Sequence, residues 1–454
     1  MAPQGESYSP RYTTRSSIQR NRSNDAISAA NTEASENGIA PHHVVIDDKL
    51  YDAMKLAKIH PGGQMFVRSF AGSDASEAFI SYHRRRFPHS KMKDLVVGEI
   101  NPRKKPENDD EYIELCELVE KMLPKHQSFA PWYYFLKVAV ILGSAASLEI
   151  YMHWYVDYRW QLSACAGFLM ALIGLNIQHD ANHGAVSRNA IVNRLLGLSQ
   201  NWIGGSAVDW VHQHVVQHHV NCNDVRDDPD IMGGFLLRLN PMKPVLQHHW
   251  AQCAYVFVLL GMFGFNVVVK SVLHLLTGKH LRNMSALLVP YRIMECLTWL
   301  VFVARWVVLP IYQTGSASVM WSIAPMFAVG GYYLSFFFVI SHNFDGAALY
   351  DHSKGINANN SFLRKQVASS SNVGGSFLCF LNGGLNYQIE HHLFPRVSHC
   401  HYPKIAPLVR TFCEKKGIPY VHFPTIADNV YSTVKHLYRM GTLAHPNPTV
   451  KSIA

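Results

Sequence analysis

The sequence predicts a mainly α protein in which a small α+β domain precedes a helical domain with four membrane-spanning helices. Of its 454 residues, 48% are hydrophobic and only 16% are charged, whereas a typical soluble domain has about 25% charged residues. Long apolar stretches begin after Pro131, and a segment of mixed polarity comes before them. The net charge of +9 fits an anionic membrane surface or nucleic acid. Because apolar stretches dominate, we expect membrane lipid as a partner and no nucleic acid.

Composition divides the chain into five regions. The first is rich in Ser, Asn and Arg and has no apolar core, which predicts a disordered tail rather than a secretory signal; a transit peptide is the alternative. A small folded domain, a charged linker with an amphipathic helix, a membrane domain and a second tail follow. The predicted bounds of the five regions are 1–40, 41–100, 101–130, 131–440 and 441–454.

The small domain carries a histidine in a tight, glycine-rich turn. His60 is followed by Pro61, Gly62 and Gly63, and a second histidine, His83, comes 23 residues after His60. Such a turn lets backbone approach a flat ligand closely. Haem iron can take one axial ligand on each face of the ring, and two separate helix-loop units can supply them.

This segment resembles the cytochrome b5 family in its HPGG turn, in the run from Ala71 to Phe79 and in the later histidine. The resemblance implies haem b, with His60 and His83 as axial ligands. It also implies a pocket lined by Phe66, Val67, Phe70 and Phe79, and an acidic edge that docks a reductase, formed by Asp74, Glu77 and Asp94.

Five apolar stretches follow, each near the 20 or so residues that cross a bilayer core. Aromatic residues cluster at their ends, as they do at membrane interfaces. The stretches occupy residues 132–154, 160–177, 253–276, 293–312 and 319–340.

Histidine clusters lie at the ends of these stretches in a fixed order. An HxxxH pair comes first, then HxxxHH, then a single histidine at the end of the fifth stretch, then QxxHH. With 26 histidines in the chain, any one spacing occurs by chance roughly 1.5 times, so the order carries the signal. The residues are His179, His183, His214, His218, His219, His342, Gln388, His391 and His392.

Helical spacing can bring these side chains together. Residues at i and i+4 share one helix face, so each pair can point at one metal. Eight imidazoles exceed what a single ion can bind, which predicts two metal ions. The clusters must also reach the same site, so an even number of spans separates the first from the last. One of the three stretches between them therefore does not cross. Both 253–276 and 293–312 carry a charged or histidine side chain within the stretch, and of the two we favour 253–276 as the one that lies in the interface plane.

An attached one-electron carrier favours iron over zinc, because reductive activation of O2 needs single electrons and hydrolysis does not. With the clusters, the chain resembles the front-end desaturases, which have an N-terminal cytochrome b5 domain. The resemblance extends from about residue 42 to 440 and includes Gln388, the acidic run 227–230 and Leu393-Phe394-Pro395. The run 176–184 is similar to microalgal Δ5 desaturases.

The resemblance implies that the eight histidines hold a di-iron centre and that Gln388 binds or orients a ligand. Asp180, Asn182, Asn343 and Glu390 would orient imidazoles, and the first ligand of the second cluster is His214 or, less favoured, His212. Also implied are a multi-pass endoplasmic reticulum membrane protein with its haem domain and histidines on the cytosolic side, O2 as oxidant, and electrons from NADH through cytochrome b5 reductase.

The implied activity is insertion of a cis double bond, at Δ5, into long-chain polyunsaturated acyl chains. Regiospecificity at Δ6, Δ8 or Δ4 remains open, as does the acyl carrier, a phospholipid or a coenzyme A ester. A sphingolipid desaturase or hydroxylase has the same parts. A histidine-rich metal transporter is the alternative of another class, but it would place ionisable residues inside its spans and leaves the haem signature unexplained.

Overall fold

The structure is a computed structural model that describes residues 39–102, 106, 108–351 and 361–443. All but the last two residues of the predicted tail at 1–40 lie outside the described residues, as does most of the predicted tail at 441–454. Helices dominate the described part, as the sequence predicts.

The N-terminal domain is a small α+β unit. Its antiparallel sheet has the order β1-β2-β3, and three short helices pack on it around Val44, Ile46, Tyr51 and Phe70. Asp52 caps the first helix by accepting a hydrogen bond from the backbone N–H of Lys55. In chain order the elements are β1 His43–Ile46, β2 Lys49–Asp52, α1 Ala53–Ile59, α2 Gln64–Ser69, α3 Ser76–His83 and β3 Val96–Glu99.

The membrane domain begins after an amphipathic helix, and among the described residues five helical segments are long and apolar enough to span a bilayer. Two of these five segments contain π-helical turns. In chain order, the helices of this part of the chain are α4 Glu111–Met122, α5 Trp132–Trp154, α6 Trp160–Ile173, α7 His179–Asn182, α8 Ala190–Gly197, α9 Ser199–Trp202, α10 Ala207–Trp210, α11 His219–Asn221, α12 Gln252–Thr277, α13 Val289–Val303, α14 Leu309–Thr314 and α15 Val319–His342.

A C-terminal layer covers the end of α15 that bears His342. Its short parallel ladder joins β4 to β5, and its helices pack on α4 through an apolar cluster that includes Leu115, Phe394 and Phe412. The elements are α16 Phe362–Ala368, β4 Ser371–Val373, α17 Ser376–Asn382, α18 Gln388–Leu393, α19 Tyr402–Lys415, β5 Val421–Phe423 and α20 Ile426–Thr442.

Length and composition give five candidate spans in the described residues, one more than the four predicted. The sequence predicts that α12 lies in the interface plane. At its start, Gln252 donates a hydrogen bond to the backbone oxygen of Leu437 in the C-terminal layer. Near its end, His274 lies 3.1 Å from Asp209, just before the second histidine cluster. The place of α12 in the interface plane stays a prediction.

The helices α6, α12 and α15 approach one another closely at glycines. A Cβ atom at Gly167 would collide with the backbone of Met326, and one at Gly264 would collide with the backbone of Phe327. Small residues permit such approach between membrane helices. This packing sets the positions of the two histidine-bearing ends, after α6 and at the end of α15.

Candidate metal centre and haem pocket

The histidine clusters are carried by four helical segments that meet at one place. The first cluster lies on α7, which continues α6 through a π-helical turn, Gly174–Gln178. The second lies on the π-helical segment Val211–His218 and on α11. His342 is the last residue of α15, and the third box lies on α18. All eight histidines are buried.

A first group of histidines consists of His179, His183, His214 and His391, whose ligand atoms all lie within 4.8 Å of one another. His219 joins this group, because its Nε2 lies 3.0 Å from Nε2 of His391 and 3.2 Å from Nε2 of His214. Metal–imidazole bonds of about 2.0–2.1 Å place neighbouring nitrogens about 3 Å apart around one ion. The spacing fits a single metal ion.

A second group consists of His218, His342 and His392, again with ligand atoms within 4.8 Å. Cys222 lies beside it, with its Sγ 3.5 Å from His342 Nδ1. Burial raises the pKa of the Cys222 thiol well above its usual value, and the thiol form is a poor metal ligand. The three imidazoles are therefore the stronger donors. Gln388 adjoins them, with its side-chain nitrogen 2.9 Å from His342 Nε2.

The other ring nitrogen of most of these histidines is held by a hydrogen-bond acceptor. Nδ1 of His218 lies 3.1 Å from Asp228, Nδ1 of His342 lies 3.0 Å from the backbone oxygen of Ser369, and Nδ1 of His392 lies 2.7 Å from Gln366 Oε1. In the first group the acceptors are phenols. Nδ1 of His183 lies 2.6 Å from Tyr82 Oη, and Nδ1 of His391 lies 3.3 Å from Tyr402 Oη.

Nε2 is the nitrogen left for a metal. Among the described residues, Nε2 of four of these buried imidazoles has no hydrogen-bond partner, namely in His179, His183, His218 and His392. An orphaned buried nitrogen is costly, and a metal ion would satisfy it. A metal-binding histidine characteristically donates its other N–H to a nearby acceptor, as observed here. The residues present therefore fit two metal ions.

Electrostatics keep most of the site neutral. Burial, reinforced by the neighbouring imidazoles, lowers the pKa of His183, His214, His219, His391 and His392 well below the usual value. The neutral imidazole is the form that binds metal. His218 differs: burial opposes its charge, but Asp228 and Asp230 raise its pKa to about 9. With a metal ion bound at Nε2 of His218, the positive charge of the metal would take the place of the extra proton that Asp228 and Asp230 otherwise stabilise on the ring.

The geometry favours His214 as the first ligand of the second cluster. Its ring centroid lies 5.1 Å from that of His183 and 5.3 Å from that of His218. His212 points elsewhere, with its Nε2 3.2 Å from the backbone oxygen of Arg282.

The N-terminal domain brings its two predicted haem ligands close together. The ring centroids of His60 and His83 lie 6.0 Å apart, which accommodates one iron with bonds of about 2 Å to each ring. Nδ1 of His60 donates to the backbone oxygen of Gly63 and Nδ1 of His83 to that of Phe79, both at 2.9 Å. A side chain at Gly62 would press on the His60 ring, since a Cβ there would lie 2.9 Å from its Cε1.

The space around these rings is apolar. The cleft encloses about 810 Å³, open mouth included, and its walls include Phe66, Val67, Phe70 and Phe79. Burial lowers the pKa of His60, and it lowers the pKa of His83 to about 3. A flat apolar slot between two neutral imidazoles fits a haem.

Comparison with known proteins decides the family. Residues 130–424 match the model of the family described as fatty acid desaturase. The chain belongs to the fatty acid desaturase family. Residues 29–101 match the cytochrome b5-like haem/steroid binding domain, so a cytochrome b5-like domain is fused to the desaturase domain. These families imply haem in the N-terminal pocket and iron in the histidine clusters.

Relatives are similar over most of their length. An acyl-lipid (7-3)-desaturase of Rebecca salina is 46% identical over 88% of this chain and 91% of its own length. An acyl-lipid (7-3)-desaturase of Diacronema lutheri is 42% identical over the same shares. A Delta(5) fatty acid desaturase A of Dictyostelium discoideum is 27% identical over 88% of this chain and 90% of its own length. The chain is thus a membrane-embedded front-end desaturase.

The orienting residues suggested by the sequence bond elsewhere. Asp180 accepts hydrogen bonds from Ser398 and from the backbone N–H of His399, and Glu390 from Asn372 and Tyr420. Asn182 and Asn343 donate to backbone oxygens. The residues that hold the desaturase histidines were missed, except that Asp228 belongs to the acidic run noted in the sequence. Gln366, Tyr82 and Tyr402 carry no local sequence signal, because only the tertiary fold brings them to the site.

Proposed function

We propose that this desaturase inserts a cis double bond into long-chain polyunsaturated acyl chains, on the carboxyl side of an existing double bond. The arrangement that supports this proposal is the pair of histidine groups beside a haem pocket of the same chain. The first group, with His219, would hold one iron, and the second group would hold the other. Gln388 would bind or orient a ligand of the second iron.

The two groups of histidines would hold two irons, and iron bound there would supply the means to activate O2 for removal of two hydrogens from an unactivated chain. The protein's own contribution is to hold most of the imidazoles neutral and to leave Nε2 free for a metal. Asp228, Gln366 and Tyr402 fix ring orientations through Nδ1. The indole of Trp210 packs 4.5 Å from the His214 ring, between ring centroids, and closes one side of the first group. Such a wall limits the access of water.

Electrons would reach the haem from NADH through cytochrome b5 reductase and pass singly to the irons. His60 and His83 would be the axial haem ligands, and Phe66, Phe70 and Phe79 would hold the ring by apolar contact. We further propose that the protein resides in the endoplasmic reticulum membrane with both sites on the cytosolic side. This orientation fits the basic residues 84–86, which precede the first span.

The relatives favour one position for the new double bond. The two relatives at 42–46% identity are named acyl-lipid (7-3)-desaturases. For this chain we infer a substrate with a double bond at carbon 7 and a new bond three carbons nearer the carboxyl group, at Δ4. The Δ5 position indicated by residues 176–184 is the second candidate, since a Delta(5) desaturase is also a relative, at 27% identity. The name acyl-lipid favours a phospholipid over a coenzyme A ester.

Expression in yeast tests both positions. Cultures would receive, one at a time, a twenty-two-carbon polyunsaturated acid whose first double bond is at carbon 7 and a twenty-carbon acid whose first is at carbon 8. Gas chromatography with mass spectrometry would locate the new bond. A Δ4 product from the first acid alone supports the proposal, and a Δ5 product from the second alone transfers it to Δ5. No new double bond from any polyunsaturated acid, with the protein present in membranes, would contradict desaturation.

A further inference from the structure

The haem pocket and the metal centre share a wall. The cleft around His60 and His83 is lined on one side by the desaturase domain, through His183, Gly184, Asn193, Val215 and Arg396. His183 belongs to the first group of histidines. One wall of the haem cleft therefore carries a candidate ligand of the metal centre.

One hydrogen bond crosses this wall. Tyr82, the residue before His83, places its Oη 2.6 Å from His183 Nδ1. The two rings are tilted against each other with centroids 6.0 Å apart. A neutral His183 that binds metal through Nε2 carries its proton on Nδ1, and that N–H then donates to the phenol oxygen of Tyr82. Tyr82 thus occupies the place that Asp228 occupies beside His218.

Other contacts hold the cytochrome b5-like domain in this position. Lys365 on α16 donates to Glu77 on α3 at 2.6 Å, and its side chain is only 9% exposed. The buried guanidinium of Arg84 donates to the backbone oxygen of Leu123 at 3.1 Å. Glu77, expected at a reductase-docking edge, instead faces the desaturase domain.

We propose that Tyr82 is a positioning residue that couples the cytochrome b5-like domain to the metal centre. Its phenol oxygen supports His183 as an iron ligand, so that docking of the domain completes the first metal site. The same contact is the bonded connection along which an electron leaves the haem. In that step one electron moves from haem Fe(II), which becomes Fe(III), to a ferric ion of the metal centre, which becomes Fe(II), and no bond is made or broken. This inference rests on the proposed function.

The substitution Tyr82→Phe tests the coupling, since it deletes only the phenol oxygen. The purified full chain, loaded with haem and iron, would be reduced and mixed with a ferrous chelator. Loss of an orienting partner typically weakens metal binding by about 10–100-fold, so we expect release of one of the two irons to accelerate to that extent. At equal iron content, reoxidation of reduced haem by O2 and substrate, followed by haem absorbance, should slow by about tenfold.

Tyr51→Phe is the matched control. Tyr51 is also in the N-terminal domain and also places its Oη 2.6 Å from a histidine Nδ1, that of His89, but it does not line the haem cleft. We expect wild-type iron release and haem reoxidation from it. Glu77→Gln is a second variant, which weakens docking without touching either site. It should change both rates in the same direction as Tyr82→Phe, by less.

The outcomes separate this inference from the function on which it rests. A wild-type protein with no iron beyond its haem would overturn both. If the wild type contains that iron and is active, while Tyr82→Phe and Glu77→Gln match Tyr51→Phe in both rates, then only the coupling role of Tyr82 is refuted. If Tyr82→Phe loses its haem spectrum, the rates of iron release and haem reoxidation in Glu77→Gln test the coupling instead, and wild-type values of both would refute it.

Discussion

The two groups of histidines differ in what holds them. In the second group the acceptors come from the membrane domain and the C-terminal layer, and one of them, Asp228, is a buried carboxylate. In the first group the acceptors are neutral phenols, and that of His183 comes from the other domain. The second site is therefore supported by charge and from within its own domain. Support of the first site depends on docking of the cytochrome b5-like domain.

Removing a first-group ligand should have the largest effect. His214→Ala should abolish product formation and remove iron, because its Nε2 is one of the converging donors. His212→Ala is the control two residues away. It should retain activity, since His212 bonds the backbone of Arg282. Product is measured by gas chromatography in membranes with equal protein content. The opposite pattern, an active His214→Ala and an inactive His212→Ala, would overturn the ligand assignment.

Removing a haem ligand should abolish turnover but leave both metal groups in place. His60→Ala leaves the pocket without one axial imidazole, so we expect the reduced-haem absorbance to disappear. With NADH and reductase as the source of electrons, product formation by the purified enzyme should fall to background while its non-haem iron is retained. A normal haem spectrum in this variant would contradict the role of His60, and full activity without haem would contradict the electron route.

Removing the charge of Asp228 should have a smaller effect than removing a ligand. Asp228→Asn leaves His218 with an uncharged partner, and we expect iron affinity at one site to fall by about 10–100-fold, measured by competition with a chelator. Asp227→Asn is the control, because Asp227 is partly exposed and pairs with Arg282 instead. Equal iron affinities in the two variants would remove the distinction between the two groups.

The smallest effect is expected for a neutral acceptor in the C-terminal layer. Tyr402→Phe removes a long contact of 3.3 Å to His391 Nδ1, and loss of one neutral hydrogen bond should lower iron affinity by about threefold. The same chelator competition measures it. A loss as large as that of Asp228→Asn would show that the charge of the acceptor is irrelevant.

Sequence reasoning succeeds where a site is local. The HPGG turn, His83 and the phenylalanines lie within 24 residues of one another. Because they are close in the sequence, the sequence alone predicts that they share one pocket. The order of the four histidine clusters also predicts one site, since helical spacing fixes which rings share a face. Parity of the spans predicts that one of the three stretches between the clusters does not cross, and the choice of 253–276 stays a prediction.

The sequence does not predict which groups orient the ligand histidines. Asp180 and Glu390 are adjacent in sequence to ligand histidines, but one residue turns the side chain by about 100° on a helix. They therefore point to His399 and to Tyr420. Gln366 and Tyr82 reach the site through tertiary packing, over 26 and 101 residues of sequence. No spacing rule encodes such contacts.

The iron content of the purified, active enzyme tests the central claim most directly. Two groups of imidazoles with unpartnered Nε2 atoms predict two non-haem irons for each haem, measured by elemental analysis against the haem absorbance. Active protein with no iron in excess of its haem would contradict the account.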